Sequence, residues 1–271
     1  MSLASTDWLE KNLNYIKIID SSWHMPLTKR NGFEEYKKQH IKNAIFFDLD
    51  KNSKKNTDLP HMLTDKVSWE KIVSNMGIKN KDQIVIYDNS DLISSCRCWY
   101  NFIYFGHDPK LVHVLNGGLK KWNKEKKNLT KDLTHIKKTN YCAKENKKLV
   151  KNKTEIDKNI SLKEFQVIDA RSLERFKGKI PEPRKGLKSG SITNSICLPF
   201  TQVINKDNTF KNNKILTSIF TNILRSKLTT NIVFSCGSGI TASVLALAYS
   251  LINNKYKPKI YDGSWSEYGK I

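Results

Sequence analysis

Four short segments of this chain occur twice, in diverged form but in the same order. Ile18-Ile19-Asp20-Ser21-Ser22 is matched by Val167-Ile168-Asp169-Ala170-Arg171, and His40-Ile41-Lys42-Asn43-Ala44 by Ser191-Ile192-Thr193-Asn194-Ser195. Val85-Ile86-Tyr87-Asp88 is matched by Val233-Phe234-Ser235-Cys236, and Val114-Leu115-Asn116-Gly117-Gly118 by Ile260-Tyr261-Asp262-Gly263-Ser264, all at offsets between 146 and 151. Spacing this constant requires both halves to fold on one plan. Each half alternates short apolar runs with helical stretches such as 69–76, 98–105 and 215–224. That pattern predicts an α/β domain, a parallel sheet flanked by helices on both faces, present in two tandem copies. A chain of 271 residues is long enough for two such cores. The expected boundaries are a first domain over 1–124, a linker over 125–158 rich in Lys, Asn and Thr, and a second domain over 159–271.

The repeat is asymmetric where it matters for chemistry. Ile232 to Ser235 reads as a buried strand, and the apolar run from Thr241 as a helix with a Thr or Ser as N-cap. Between them lies Cys236-Gly237-Ser238-Gly239. A strand–loop–helix turn of this kind points backbone N–H groups inward beside the positive end of a helix dipole, where an anionic sulfur is stabilised. The first copy has Asp88 at the corresponding place, so only the second can carry a nucleophilic thiol there.

Five cysteines form an odd set without a C-x-x-C pair, which argues for free thiols in a reducing compartment. Cys96 and Cys98 have the wrong spacing for a zinc knuckle and are expected to be buried, Cys197 is expected to pack against the sheet, and Cys142 is expected to be exposed. The N-terminus lacks the apolar stretch of a signal peptide, and no run is long enough to span a membrane, so a cytoplasmic location is expected. The net charge of +21 raises nucleic-acid binding as a rival reading. The basic residues are scattered and no RNA-binding signature accompanies them, so a solvated basic surface is favoured, with acidic proteins or RNA as secondary partners. Only six of the 47 basic residues are arginines, and three of these, Arg171, Arg175 and Arg184, fall within fourteen residues of one another. A guanidinium grips a carboxylate bidentately where lysine offers a point charge. The rival reading for Arg175 and Arg184 is an ion pair with Glu174 or Glu182.

Several further stretches carry a resemblance. They include Ser22-Trp23-His24-Met25-Pro26, Asp48-Leu49-Asp50, His61-Met62-Leu63, Asp169-Ala170-Arg171-Ser172-Leu173-Glu174-Arg175-Phe176, Pro181-Glu182-Pro183-Arg184, Cys236-Gly237-Ser238-Gly239-Ile240-Thr241 and Tyr261-Asp262-Gly263-Ser264-Trp265. Together they resemble the two-domain sulfurtransferases of the rhodanese superfamily, and among these the 3-mercaptopyruvate sulfurtransferases. The likeness runs over nearly the whole chain, with milder departures at Lys42-Asn43 and at Ser191 and Thr193, where the family usually shows a His-Ile-Pro-Gly-Ala turn.

The resemblance implies that Cys236 takes sulfur from 3-mercaptopyruvate as a persulfide, releases pyruvate and needs no cofactor or metal. It implies that Arg175 and Arg184 bind the substrate, and that Ser238, His61 and Asp50 move the protons. It also implies that Gly237, Gly239, Ile240 and Thr241 lend backbone N–H donors to the sulfur, while Asp169 and Arg171 are structural. The implied acceptor is thioredoxin or a small thiol. Thiosulfate-using relatives typically carry basic residues just after the cysteine, whereas Gly237 and Ser238 are neutral. Phosphatases of similar fold need an arginine where this chain has Ala242. The competing expectations are thiosulfate sulfur transfer, and a persulfide relay that hands sulfur to a tRNA- or cofactor-thiolation system.

Overall fold

A computed structural model describes residues 2–271 and divides them into two compact units. The first contains the chain up to Lys55, then Leu63–Asn146 and Lys206–Thr209; the second contains Asn56–Met62, Lys147–Asn205 and Phe210–Ile271.

In the first unit, β1 (Leu3–Ala4), β2 (Lys17–Asp20), β3 (Ala44–Phe46), β4 (Ile84–Tyr87) and β5 (Val112–Leu115) form one parallel sheet in the order β1-β5-β4-β2-β3. Its helices are α1 (Thr6–Asn12), α2 (Gly32–Lys38), α3 (Lys66–Asn75), α4 (Ser95–Tyr104) and α5 (Gly118–Lys124). All four residues of β4 are buried, as expected of a central parallel strand covered on both faces. One layer of the core joins Ile18, Val85 and Tyr87 from the sheet to Leu9, Tyr36 and Trp122 from helices.

The second unit repeats the plan. Strands β6 (Val150–Lys151), β7 (Gln166–Asp169), β8 (Ile196–Cys197), β9 (Ile232–Ser235) and β10 (Ile260–Tyr261) pair in the order β6-β10-β9-β7-β8, all parallel. This is the permutation of the first sheet, strand for strand. Its helices are α6 (Lys153–Leu162), α7 (Leu173–Phe176), α8 (Asn213–Leu224), α9 (Ile240–Ile252) and α10 (Ser264–Tyr268). Helix α9 is buried along most of its length, from Ala242 to Tyr249, which accounts for its unbroken apolar sequence. The strand order reverses between β9 and β7, and the loops leaving the carboxyl ends of such a pair enclose a crevice where ligands bind in open α/β sheets. Cys236 leaves β9 and Arg171 follows β7.

The segment expected as a linker over 125–158 is instead divided between the units. Residues 125–146 lie along the first, where Thr130, Thr139 and Lys144 donate backbone N–H bonds to the carbonyls of His40, Ser74 and Phe105 at 2.9, 3.0 and 2.9 Å. Residues 147–158 supply β6 and the first turns of α6 to the second. Backbone bonds and scattered side chains such as the half-buried Leu129 and the buried Tyr141 and Leu149 anchor this stretch, and scattered anchors leave no apolar period.

Candidate active site

Strand β9 delivers Cys236 to the carboxyl end of the sheet, where it is 2 % exposed. Gly239 adopts φ 82°, a left-handed conformation that glycine accepts readily, and serves as the N-cap of α9. The helix therefore starts at Ile240, not Thr241, and no Thr or Ser caps it; the cap position needs a positive φ that these residues rarely adopt. This bend turns the Gly239 N–H back to donate to Cys236 Sγ at 3.1 Å. Ser243 Oγ–H donates to the Gly239 carbonyl at 2.8 Å and fixes the same peptide from the other side. Ile240 is buried in the first turn and Thr241 is half-buried beside it.

Helix α10 clamps the loop. Trp265 N–H donates to the Cys236 carbonyl at 2.9 Å, Cys236 N–H donates to Ser264 Oγ at 3.2 Å, and Ser266 donates to the Gly237 carbonyl through N–H at 2.9 Å and Oγ–H at 2.5 Å. The sulfur thus sits at a helix N-terminus, in a backbone whose polar groups are already fixed. An anion there is met by preorganised dipoles.

Both candidate substrate-binding arginines face this loop. Arg175 comes from α7 and Arg184 from the Pro181–Arg184 stretch. A β-carbon placed on Gly237 would lie 3.3 Å from Arg175 Nη2 and 3.6 Å from Arg184 Nη1, so the missing side chain leaves a gap lined by two guanidiniums. Arg184 Nη2 also donates to Ser238 Oγ at 3.4 Å.

Glu182 does form the ion pair weighed as the rival role for Arg175, while the same guanidinium faces Gly237. Its carboxylate, 1 % exposed, accepts from Arg175 Nη2 at 2.5 Å and Nε at 3.2 Å, and from Arg171 Nη1 at 2.9 Å. Arg171 is itself held by Asp169 at 2.7 Å and stacks 4.3 Å from the Trp265 ring. A continuous chain of charged contacts therefore runs from the end of β7 through Glu182 to the guanidinium over Gly237. The sequence offered Glu182 only as a competitor for an arginine; its place between two prolines was the available sign of a fixed backbone. The serines and tryptophan of α10 were not identified as loop supports.

His61 belongs to the second unit, and its Nδ1 lies 2.9 Å from Ser238 Oγ. It is 5 % exposed and has φ 60°, a strained conformation for a residue with a side chain. Asp50 is held in the first unit, where the Trp23 indole N–H donates to its carboxylate at 2.9 Å. The geometry therefore joins Cys236, Gly239, Ser238, His61, Arg175 and Arg184 around one loop. The other thiols lie outside this loop, and three of them are disfavoured as thiolates. Burial pushes Cys96 and Cys98 well above the usual thiol range and Cys197 up to about 12, and Cys142 is exposed.

Comparison with known proteins agrees with this architecture. The rhodanese-like domain model matches residues 5–125 and again 152–270. The chain is 37 % identical to thiosulfate/3-mercaptopyruvate sulfurtransferase 1, mitochondrial, of Arabidopsis thaliana, over 98 % of this chain and 75 % of the relative. It is 31 % identical to mouse 3-mercaptopyruvate sulfurtransferase and 33 % identical to bovine thiosulfate sulfurtransferase, each over 98 % of this chain and 91 % of the relative. Among solved structures, the 3-mercaptopyruvate sulfotransferase SseA of Escherichia coli superposes with a TM-score of 0.85 at 29 % identity, covering 98 % of this chain and all of that one. The Tum1 protein of Saccharomyces cerevisiae superposes with a TM-score of 0.87 at 26 % identity, covering 99 % and 94 %. With a matching domain in each half, this chain belongs to the rhodanese family.

Proposed function

We propose that this sulfurtransferase takes sulfur from 3-mercaptopyruvate onto Cys236 and passes it to a thiol. The observation that carries the choice of donor is the pair of guanidiniums facing the side-chain-free Gly237. Arg175 and Arg184 form a cleft for a planar carboxylate and its neighbouring keto oxygen, with the substrate thiol directed at Sγ. The Cys236 thiolate attacks that sulfur, the S–S bond forms, and the C–S bond breaks with its electron pair left on carbon. The resulting enolate of pyruvate is stabilised by the same guanidiniums until a proton reaches it. Ser238 and His61 offer a route for that proton. Asp50 is kept in the proposal as a proton-transfer residue on the family resemblance alone.

Intact-protein mass spectrometry after exposure to 3-mercaptopyruvate should show a gain of one sulfur atom, lost in Cys236→Ser. A Cys236→Ser protein that still takes up sulfur would overturn the assignment of the nucleophile. Thiosulfate is the second donor to test, because relatives are named for both activities. The neutral Gly237 favours the keto acid, and a higher kcat/KM with thiosulfate would reverse that choice. Thioredoxin or a small thiol is proposed as acceptor, and a cytoplasmic location is part of the proposal, supported by five free cysteines. Among the described residues no helix is long and apolar enough to cross a membrane.

A further inference from the structure

A second concavity lies in the same unit, of about 290 Å3, lined by Asp58, Pro60, Arg184, Lys185, Leu187, Ser266 and Lys270 among others. We propose that it is the acceptor subsite, and that it takes a small thiol bearing a carboxylate. This rests on the persulfide reading above, because it concerns the second half of that reaction.

Three independent contacts place the cavity wall against the catalytic loop. Ser266 donates to the Gly237 carbonyl, Arg184 donates to Ser238 Oγ, and Pro60 directly precedes His61, which contacts the same hydroxyl. One face of each lining element therefore belongs to the loop and another to the cavity. The remaining walls give its charge. Arg184, Lys185 and Lys270 supply three cations against two carboxylates, the terminal one of Ile271 and that of Asp58, which is already paired with Lys270 at 2.5 Å. The net field in the cavity is positive, so an anionic occupant is favoured. Its volume lies at the small end of the range for ligand pockets, suited to a molecule the size of an acylated amino acid. Arg184 touches both spaces and can hold the donor in one step and guide the acceptor in the next.

The chemistry balances without any further reactant. The acceptor thiolate attacks the outer sulfur of the Cys236 persulfide. A new S–S bond forms on the acceptor, the bond to Cys236 Sγ breaks, and its electron pair returns to Cys236 as thiolate. The acceptor leaves as a hydropersulfide.

The test uses the full chain preloaded with sulfur and two acceptors that differ in one charge, N-acetylcysteine and N-acetylcysteine amide. In the double variant Lys185→Gln/Lys270→Gln, loading from 3-mercaptopyruvate should proceed as in wild type, while the discharge efficiency with N-acetylcysteine falls about fivefold and that with the amide is unchanged. Because Lys270 also pairs with Asp58, the single variant Lys185→Gln should show the same selective loss in smaller degree. An equal loss with both thiols, no loss with either, or a parallel rise in the donor KM would overturn the subsite, the last by making the cavity part of the donor site. Discharge to a folded protein thiol but to neither small thiol would also overturn it. A wild-type protein that never takes up sulfur would sink the underlying persulfide reading, a distinct failure visible before any acceptor is added.

Discussion

Replacing Glu182 by Gln tests how the site is aimed. The carboxylate stands between Arg171 and Arg175 with 1 % of its side chain exposed, so its two charge-assisted contacts are shielded from water on one side and reach a partly exposed guanidinium on the other. Glutamine preserves the shape and one acceptor, but turns an amide N–H toward Arg175 Nη2, donor against donor. Hydrogen bonds to charged groups are worth about 1.5–3 kcal/mol. Arg175 is 22 % exposed and can recover part of this from solvent, while Arg171 keeps Asp169 and the Gly190 carbonyl, its Nη2 donating to each at 2.7 Å. The net loss of stability should then be about 2 kcal/mol, below the ~3–5 kcal/mol seen when a buried pair loses one member entirely. For a domain of this size that lowers Tm by about 4–8 °C. The functional loss should be larger in proportion. A guanidinium no longer held over Gly237 ceases to grip the substrate carboxylate, and the KM for 3-mercaptopyruvate should rise about tenfold.

The assay is steady-state kinetics of Glu182→Gln beside Arg175→Ala and Glu182→Asp, at a temperature where all are folded by circular dichroism. Positioning predicts that Glu182→Gln moves KM in the same direction as Arg175→Ala and that Glu182→Asp restores part of the loss. A merely structural Glu182 would lower Tm and leave KM alone. That outcome, with Arg175→Ala still impaired, would refute the reasoning.

Gly237→Arg should cost the keto acid and favour thiosulfate, because its β-carbon begins 3.3 Å from Arg175 Nη2 and its charge would repel both guanidiniums; a ratio of kcat/KM values unchanged between the two donors would contradict the gap between the arginines. Asp20 is pushed up to about 7, chiefly by burial. Its folded value lies above its unfolded value, so the stability it contributes in acid is lost as pH rises through about 7. Asp20→Asn should flatten the fall in Tm between about pH 4 and pH 7, leaving the slope due to Asp88, whose carboxyl is raised by the same cause; an unaltered slope would place the titration elsewhere. In the Cys236→Ser background, iodoacetamide near pH 7.5 should label Cys142 first, and labelling of Cys96 or Cys98 in the folded protein would contradict their burial.

The sequence made the repeated plan legible because its central strands are short β-branched runs, and a buried parallel strand leaves few alternatives for Ile84–Tyr87 or Ile232–Ser235. The expected helices near 69–76, 98–105 and 215–224 form as Lys66–Asn75, Ser95–Tyr104 and Asn213–Leu224, each beginning two or three residues earlier. The added first turns are polar, with capping side chains for two of the three, and polar turns carry no apolar period. The site was legible where it is local, as at Cys236 and Gly239. It was not where the support comes from afar: Ser264 and Ser266 act on residues 28 and 29 positions earlier in the chain, and such pairings leave no periodic mark. Glu182 was read as an ion-pair partner of Arg175, and that pair forms, but the sequence left open what the pair does. A carboxylate near an arginine signals an ion pair in either role, and only the direction of Arg175, toward Gly237, distinguishes a pair that occupies the guanidinium from one that aims it.

The two copies of the fold show what confines the chemistry to one of them. After β4, the Asp88 carboxylate accepts the N–H of Ser90 at 2.8 Å and that of Ser95, the first residue of α4, at 2.9 Å. After β9, the corresponding side chain is a thiol that accepts one N–H, from Gly239, at 3.1 Å. In both loops an amide at the start of a helix is satisfied by the residue that follows the strand. Asp88 does so with two fixed oxygens and seven residues of chain before Ser95, and its donors are fully engaged by an internal anion. Cys236 is four residues from Ile240, in a tighter turn closed by the left-handed Gly239, and its sulfur uses a single donor. An atom that satisfies its helix with one contact can still form a bond to an incoming sulfur, whereas a carboxylate locked by two is spent on structure. The duplication thus kept one fold with two different loops, a carboxylate that caps in the first copy and, in the second, the thiol for which nucleophilic attack is proposed.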